Sequence, residues 1–185
     1  MIAALYIDTK RGPYAGMVGV DCWGIERDAT QYNGPWPVVA HPPCAHWGRL
    51  KHFCKDDGHT GPIAVAQVRK FGGVLEHPEH SSLWAHCSMP EPGWLPDEFG
   101  GYSLHIRQFD FGHKCDKWTW VYVVGCRVED LPPMPPRRLE LATHVVTNEQ
   151  RVGDDGYRPR ISGAERHLTP PAFAQWLVAA AGGTI

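Results

Sequence analysis

Apolar and polar positions along the chain change period several times, and each change marks an element. Ile2 to Ile7 is an apolar run that closes on Asp8, and residues 2–8 read as a first strand. Lys10 to Tyr14 is a turn. Val18 to Trp23 has strand character, and Ile25 to Tyr32 reads as a short helix. The turn residues Asn33 to Pro37 precede a buried strand, Val38 to Ala40. The polar, His-rich stretch from Cys44 to His59 has no clear period. Thr60 is placed to cap a helix with Pro62 in its first turn, and Ile63, Ala66, Val68 and Phe71 give it an apolar face. Gly72 and Gly73 stop it, and Val74-Leu75 follows at once as a strand.

Residues 79–101 form a Pro- and Trp-rich loop. Ser103 to Phe109 and Trp118 to Val124 read as two further strands, paired as a hairpin across Gly112 to Lys117. Residues 126–167 read as an irregular insertion, stiffened by the prolines from Leu131 to Pro136. Thr169 caps a last helix that Pro170 and Pro171 open and Gly182-Gly183 end, with Phe173, Trp176, Leu177 and Ala180 as its stripe. Strands alternating with helices predict one α/β domain over residues 1–185, built on a mixed sheet with a C-terminal helix.

Composition narrows the class. A chain of 185 residues with 43% hydrophobic and 21% charged residues is long enough to bury a core without disulfides or metal. No apolar run approaches the roughly 18 residues of a membrane span, and the N-terminus is too lightly charged for an export signal. The expected compartment is the cytoplasm. Six cysteines then read as reduced thiols. A net charge of −2 argues against a protein that coats nucleic acid by its field alone, and leaves room for a local basic patch.

Two reactive groups stand at strand ends. Cys44 follows Pro42-Pro43 after the Val38–Ala40 run, so its thiol is presented on a stiff loop. Glu76 closes the run that begins at Gly73, followed by His77 and Pro78. Open α/β sheets place reactive groups at such ends. A thiolate adds to an electron-poor ring, and a carboxyl kept partly protonated by burial donates to a ring nitrogen. Arg49, Lys51 or a helix N-terminus would lower the thiol pKa. Gln108 and Asp110 fall on one face of the predicted strand, followed by His113 and Lys117, and suit a base edge or a phosphate. The bland readings are a core cysteine, a salt-bridged acid and the polar face of an edge strand.

A competing cluster is His41, Cys44, His46, His52 and Cys54, with His113 and Cys115 further on. These are side chains that zinc prefers, although the spacing matches no common finger. Gly-x-Gly-x-x-Gly, Walker A and Gly-x-Ser-x-Gly patterns are absent from the sequence.

Pro42-Pro43-Cys44, then Glu76-His77-Pro78, then Gln108-x-Asp110-x-Gly112-His113 with Lys117-x-Thr119, then the segment Thr169 to Ala174, together resemble DNA cytosine-5 methyltransferases. The likeness is strongest to the small methylase-like proteins carried by bacteriophages, and spans roughly residues 36–180. It implies a Rossmann-like methyltransferase-type sheet and a target cytosine flipped out of DNA. It further implies Cys44 as the nucleophile at ring carbon 6, Glu76 as the partner of ring nitrogen 3, and S-adenosylmethionine as methyl donor. Pro43, His77, Gln108, Asp110, His113 and Lys117 become the substrate-binding set. For a phage-borne protein the compartment is the host cytoplasm.

The departures are equally specific. His77 stands where the family usually has Asn, and Gln108 occupies part of the family's Arg-bearing base-binding element, whose arginines are not matched. The family's Gly-bearing cofactor loop is missing before Cys44. Each strand–helix–strand unit needs on the order of 30 residues, so the cofactor half is shortened or replaced. Asp8, Asp21 and Glu26 remain as the acids available for a cofactor ribose. Two alternatives stay open beside a pyrimidine-modifying enzyme: a non-catalytic DNA-binding relic, and a zinc-binding hydrolase or structural zinc protein.

Overall fold

Six strands carry the molecule: β1 (Ile2–Leu5), β2 (Val20–Trp23), β3 (Val38–Ala40), β4 (Gly73–Pro78), β5 (Tyr102–Arg107) and β6 (Trp118–Val124). The computed structural model describes residues 1–48, 51–54, 58–146 and 152–182. The strands form one sheet in the order β2-β1-β3-β4-β6-β5. The first four are parallel, and β6 runs antiparallel to both of its neighbours.

The apolar runs are continuous because helices cover both faces. Ala3, Leu5, Val38, Ala40 and Leu75 share a core with Ala64, Val65 and Val68 of α1 (Thr60–Phe71). Ile2, Ala4, Val39, Val74 and Val121 share the opposite core with the last helix, Pro171–Ala180. Its Phe173 and Leu177 are fully buried, worth about 1.5–3 kcal/mol each. Between these two helices lie two single turns, α2 (Leu83–His86) and α3 (Gly163–Arg166), so the last helix is α4.

Several boundaries differ from the sequence reading. The residue before α1 is His59, and Thr60 is already helical, its hydroxyl buried without a partner. The buried face of α1 is Gly61, Ala64, Val65 and Val68, whereas Ala66 is exposed. Pro170, not Thr169, precedes α4. Gly183 lies outside the described residues. The expected helix at 25–32 is two 3-10 turns, broken by Asp28 in a left-handed conformation (φ 48) with its carboxylate bonded to the Thr30 amide. Strand β5 stops at Arg107, and Gln108–Phe111 tightens into a 3-10 turn ending on Gly112. Gln108 and Asp110 therefore share no strand face. The Gln108 amide bonds to the Lys117 carbonyl at 2.8 Å and closes the hairpin.

Two features aim the fold at its site. Consecutive strands β2 and β3 flank β1 on opposite sides, which creates a crevice beyond the carboxyl ends of β1 and β3. Gly73 lies so close to β3 that a Cβ would sit 2.0 Å from the Val38 carbonyl oxygen, and its φ of +112° suits glycine alone. Residues 126–167 are largely irregular among the described positions. A bridge between Cys115 and His144 ties this segment to the β5–β6 turn and brings α3 to the crevice. Among the described residues no helix is long and apolar enough to cross a membrane.

Candidate active site

The crevice holds a cavity of about 890 Å³. Its walls come from the loop after β1, the ends of β3 and β4, the start of β6, and α3 with the residues that follow it. Cys44 and Glu76 both line it, together with Tyr14, His41, Lys117 and Arg166. Cys44 precedes a 3-10 turn (Ala45–Trp47) and its carbonyl accepts the Trp47 amide at 3.0 Å. That turn and the two prolines fix the half-buried thiol at the end of β3.

Glu76 is held by three donors. His41 Nδ1 lies 3.0 Å from Oε2, Gln108 Nε2 donates to Oε1 at 2.9 Å, and the Thr119 hydroxyl donates to the same oxygen. The β4–β6 register pairs Thr119 with Pro78 and so sets its hydroxyl beside the carboxylate. Burial alone would raise this carboxyl. The His41 bond, the charges of Lys117 and His41 and the Thr119 bond outweigh it and bring the pKa down to about 2. The expected partly protonated acid is thus an ionised carboxylate at rest.

A further bond extends the network. The Tyr14 hydroxyl lies 2.7 Å from His41 Nε2. Burial and the Glu76 charge push the Tyr14 pKa well above its ordinary value, so Tyr14 keeps its proton. The Glu76 carboxylate can only accept, so His41 Nδ1 donates to it. The result is a chain from Tyr14 through His41 to Glu76, ending in the cavity.

The thiol of Cys44 is pushed up by burial and by the Glu76 carboxylate. Lys117 and Arg166 oppose these effects without overcoming them. Cys44 therefore rests as a thiol, not as the lowered thiolate that Arg49 or Lys51 were expected to give. Arg49 lies outside the described residues.

The other expected site residues divide. Pro43, His77 and Lys117 line the cavity. His77 is 1% exposed, bonds Ser81 Oγ through Nδ1 at 2.7 Å, and is held neutral by burial with a pKa near 4. Gln108 is fully buried and reaches the cavity only through Glu76. Asp110 accepts from Arg107 Nη1 and the Arg138 amide, both at 3.0 Å, away from the cavity. His113 is buried against Cys115, also away from it. Among the described residues no three His, Cys, Asp or Glu side chains come together as a metal site.

The acids expected to hold a cofactor ribose do not gather. Asp8 borders the cavity, but its carboxylate caps the amides of Lys10 and Arg11 at 2.9 and 3.0 Å in a turn completed by Gly12. Asp21 is occupied by Trp23 Nε1 at 2.8 Å and by Arg27. Glu26 pairs with Lys10. Neither Asp21 nor Glu26 lines the cavity. This donor set does not fit S-adenosylmethionine as expected. His41, Tyr14 and Thr119 complete the network around Glu76 and lie outside the substrate-binding set that the resemblance implies. The signal for His41 was its place at the end of the β3 run, three residues before the thiol.

No family model, curated protein or solved structure matches the chain, so the reading of the site rests on its own residues.

Proposed function

We propose that the protein modifies a pyrimidine base at carbon 5, with cytosine in DNA as the target, through a covalent adduct on Cys44. One observation carries this: a cysteine and a carboxylate held by three donors, from the ends of adjacent strands, line a single cavity with room for a nucleotide. On this reading the sheet is a Rossmann-like methyltransferase-type sheet with a shortened cofactor half, and its switch point holds the base. A base in duplex DNA enters by flipping out of the stack.

The first steps balance with the groups present. Sulfur bonds to ring carbon 6 as the thiol gives up its proton. The carbon 5–carbon 6 π pair shifts toward carbon 4, and the carbon 4–nitrogen 3 pair settles on nitrogen 3, which takes a proton. One proton leaves sulfur and one arrives on the ring. Glu76, ionised at rest and backed by His41 and Tyr14, carries it. Carbon 5 is now nucleophilic. A proton from water can add there, the original hydrogen leaves to water, and expulsion of sulfur with return of the nitrogen 3 proton to it restores the ring and the thiol. These steps need no group donor. Methyl transfer from S-adenosylmethionine is what the family resemblance implies for the completed reaction, and no step above is routed through it.

The test is hydrogen exchange at carbon 5. Cytosine-containing oligonucleotides and dCMP are incubated with the protein in deuterated water, and the nucleosides are weighed by mass spectrometry. Deuterium at carbon 5 is expected with wild type and not with Cys44→Ala. Nucleosides of DNA co-expressed with each protein then identify the group added. Absence of both exchange and a modified nucleoside overturns the proposal.

A further inference from the structure

The charges around the cavity are unevenly matched. Four acids border it, and each is engaged. Asp8 caps its turn, Glu76 takes three donors, Glu79 bonds His105 Nε2 at 2.9 Å, and Asp116 is paired with Arg107. Three cations border it: Arg11, Lys117 and Arg166. None of them makes an ion pair with a carboxylate among the described residues, whereas Arg27, Arg69, Arg107, Lys114 and Arg138 all do.

Lys117 and Arg166 both line the cavity, as do Cys44 and His167. Both favour the charged form of Cys44, and both oppose protonation of His167, which burial already disfavours. Arg166 is held there by its neighbours. Ser162 caps α3, its hydroxyl accepting the Glu165 amide at 3.1 Å and donating to Oε2 at 2.8 Å. Lys114 pairs with the other oxygen of Glu165, so the acid adjacent to Arg166 is spent elsewhere. Two cations that make no carboxylate ion pair among the described residues, lining the same cavity as the Cys44 thiol, form a receptor for an anion with several acceptor oxygens.

We propose that Lys117 and Arg166 form the subsite for the phosphate of the nucleotide whose base meets Cys44 and Glu76. This rests on the base-pocket reading above and adds the part of the substrate that the pocket grips by charge. The phosphate belongs either to a free nucleotide or to the backbone of a polynucleotide, and both present the same oxygens.

Calorimetry with deoxycytidine, dCMP and a single-stranded oligonucleotide holding one cytosine separates the sources. The proteins are wild type, Lys117→Gln, Arg166→Gln, the double variant, and Arg127→Gln, whose residue does not border the cavity. Circular dichroism checks that each folds. Wild type and Arg127→Gln are expected to bind dCMP at least about tenfold tighter than deoxycytidine, the effect of one charge-assisted contact. In the double variant that advantage, read as the ratio of dCMP to deoxycytidine affinity within the same protein, falls below about twofold. Oligonucleotide binding without dCMP binding, lost in the double variant, supports the subsite with a polymer as its source. Equal binding of dCMP and deoxycytidine by wild type, with oligonucleotide binding untouched in the double variant, overturns it.

Inorganic phosphate distinguishes the two readings if no pyrimidine binds. A shift of the His167 imidazole resonances toward the protonated form in wild type alone keeps the subsite and sinks the base pocket. No shift in either protein overturns the subsite too.

Discussion

His41 Nδ1 donates to Glu76 Oε2 at 3.0 Å and joins the carboxyl ends of β3 and β4 through their side chains. The His41 amide also bonds the Leu5 carbonyl at 3.1 Å, so the imidazole is anchored to β1 as well. Glu76 is 8% exposed, and its charge is tolerated because donors surround it.

Glu76→Gln keeps the shape and removes the charge. The amide presents an N–H group to donors that the carboxylate satisfied, at a cost of about 1–3 kcal/mol, read from urea unfolding. The carboxylate also holds the Cys44 thiol up, so its removal lowers the thiol pKa. Iodoacetamide should therefore label Cys44 faster in Glu76→Gln near pH 7.5, even though carbon 5 exchange is lost. Unchanged or slower labelling would show that the two groups do not sense each other.

Tyr14→Phe leaves His41 Nε2 without its 2.7 Å partner. Tyr14 is 1% exposed, so the loss is felt as a missing buried bond of about 1 kcal/mol. Tyr14 acts through His41. The exchange rate should fall several-fold to about tenfold with substrate affinity unchanged, and the acidic limb of its pH profile should move. A rate and a profile identical to wild type would remove Tyr14 from the network.

Acid should destabilise the fold in two overlapping windows. His77 binds its proton near pH 4 in the folded state and near 6.5 when unfolded, because burial disfavours the charged ring. Between those values the unfolded chain binds more protons, so stability falls as pH drops from about 6.5 toward 4. Glu76 is depressed from 4.5 to about 2, and its contribution is complete above about 4.5 and lost as pH falls toward 2. Each shift is worth on the order of 3 kcal/mol at most. Urea midpoints measured from about pH 7.5 down to about pH 4 should decline steadily in wild type and much less in His77→Asn. An equally steep decline in the variant would assign the upper window to another group.

The parallel strands and the strand-end positions of Cys44 and Glu76 are legible because an apolar run leads up to each residue, and parallel strands buried on both faces write such runs plainly. Their bonded surroundings are not. Thr119 serves Glu76 through an antiparallel register that links positions 43 residues apart, and no local pattern encodes it. The pattern around Gln108 reads as a strand face, but the chain tightens into a 3-10 turn there and buries the amide against Glu76. His41 read equally well as a zinc ligand, because its type is visible and its partner is not. Asp21 and Glu26 looked free for a ribose until Arg27 and Lys10, local cations, claimed them.

Gly73 sets the distance between the strands that carry the thiol and the acid. A Cβ there would press on the Val38 carbonyl oxygen at 2.0 Å and on its nitrogen at 2.6 Å. Both are backbone atoms of β3, so no side-chain rotation relieves the clash. The positive φ adds a cost of about 1–3 kcal/mol for any other residue. Gly73→Ala should thus destabilise the protein by at least about 2 kcal/mol. What survives folded should have β4 displaced from β3, with Glu76 drawn away from His41. Carbon 5 exchange should then fall even at temperatures where circular dichroism shows a native spectrum. Gly72→Ala is the control. It is also at positive φ, but its Cβ meets nothing closer than the Val124 carbonyl at 3.4 Å, so it should lose stability through backbone strain and keep exchange while folded. Equal effects of the two substitutions on exchange would show that close packing of β4 on β3 does not hold the site together.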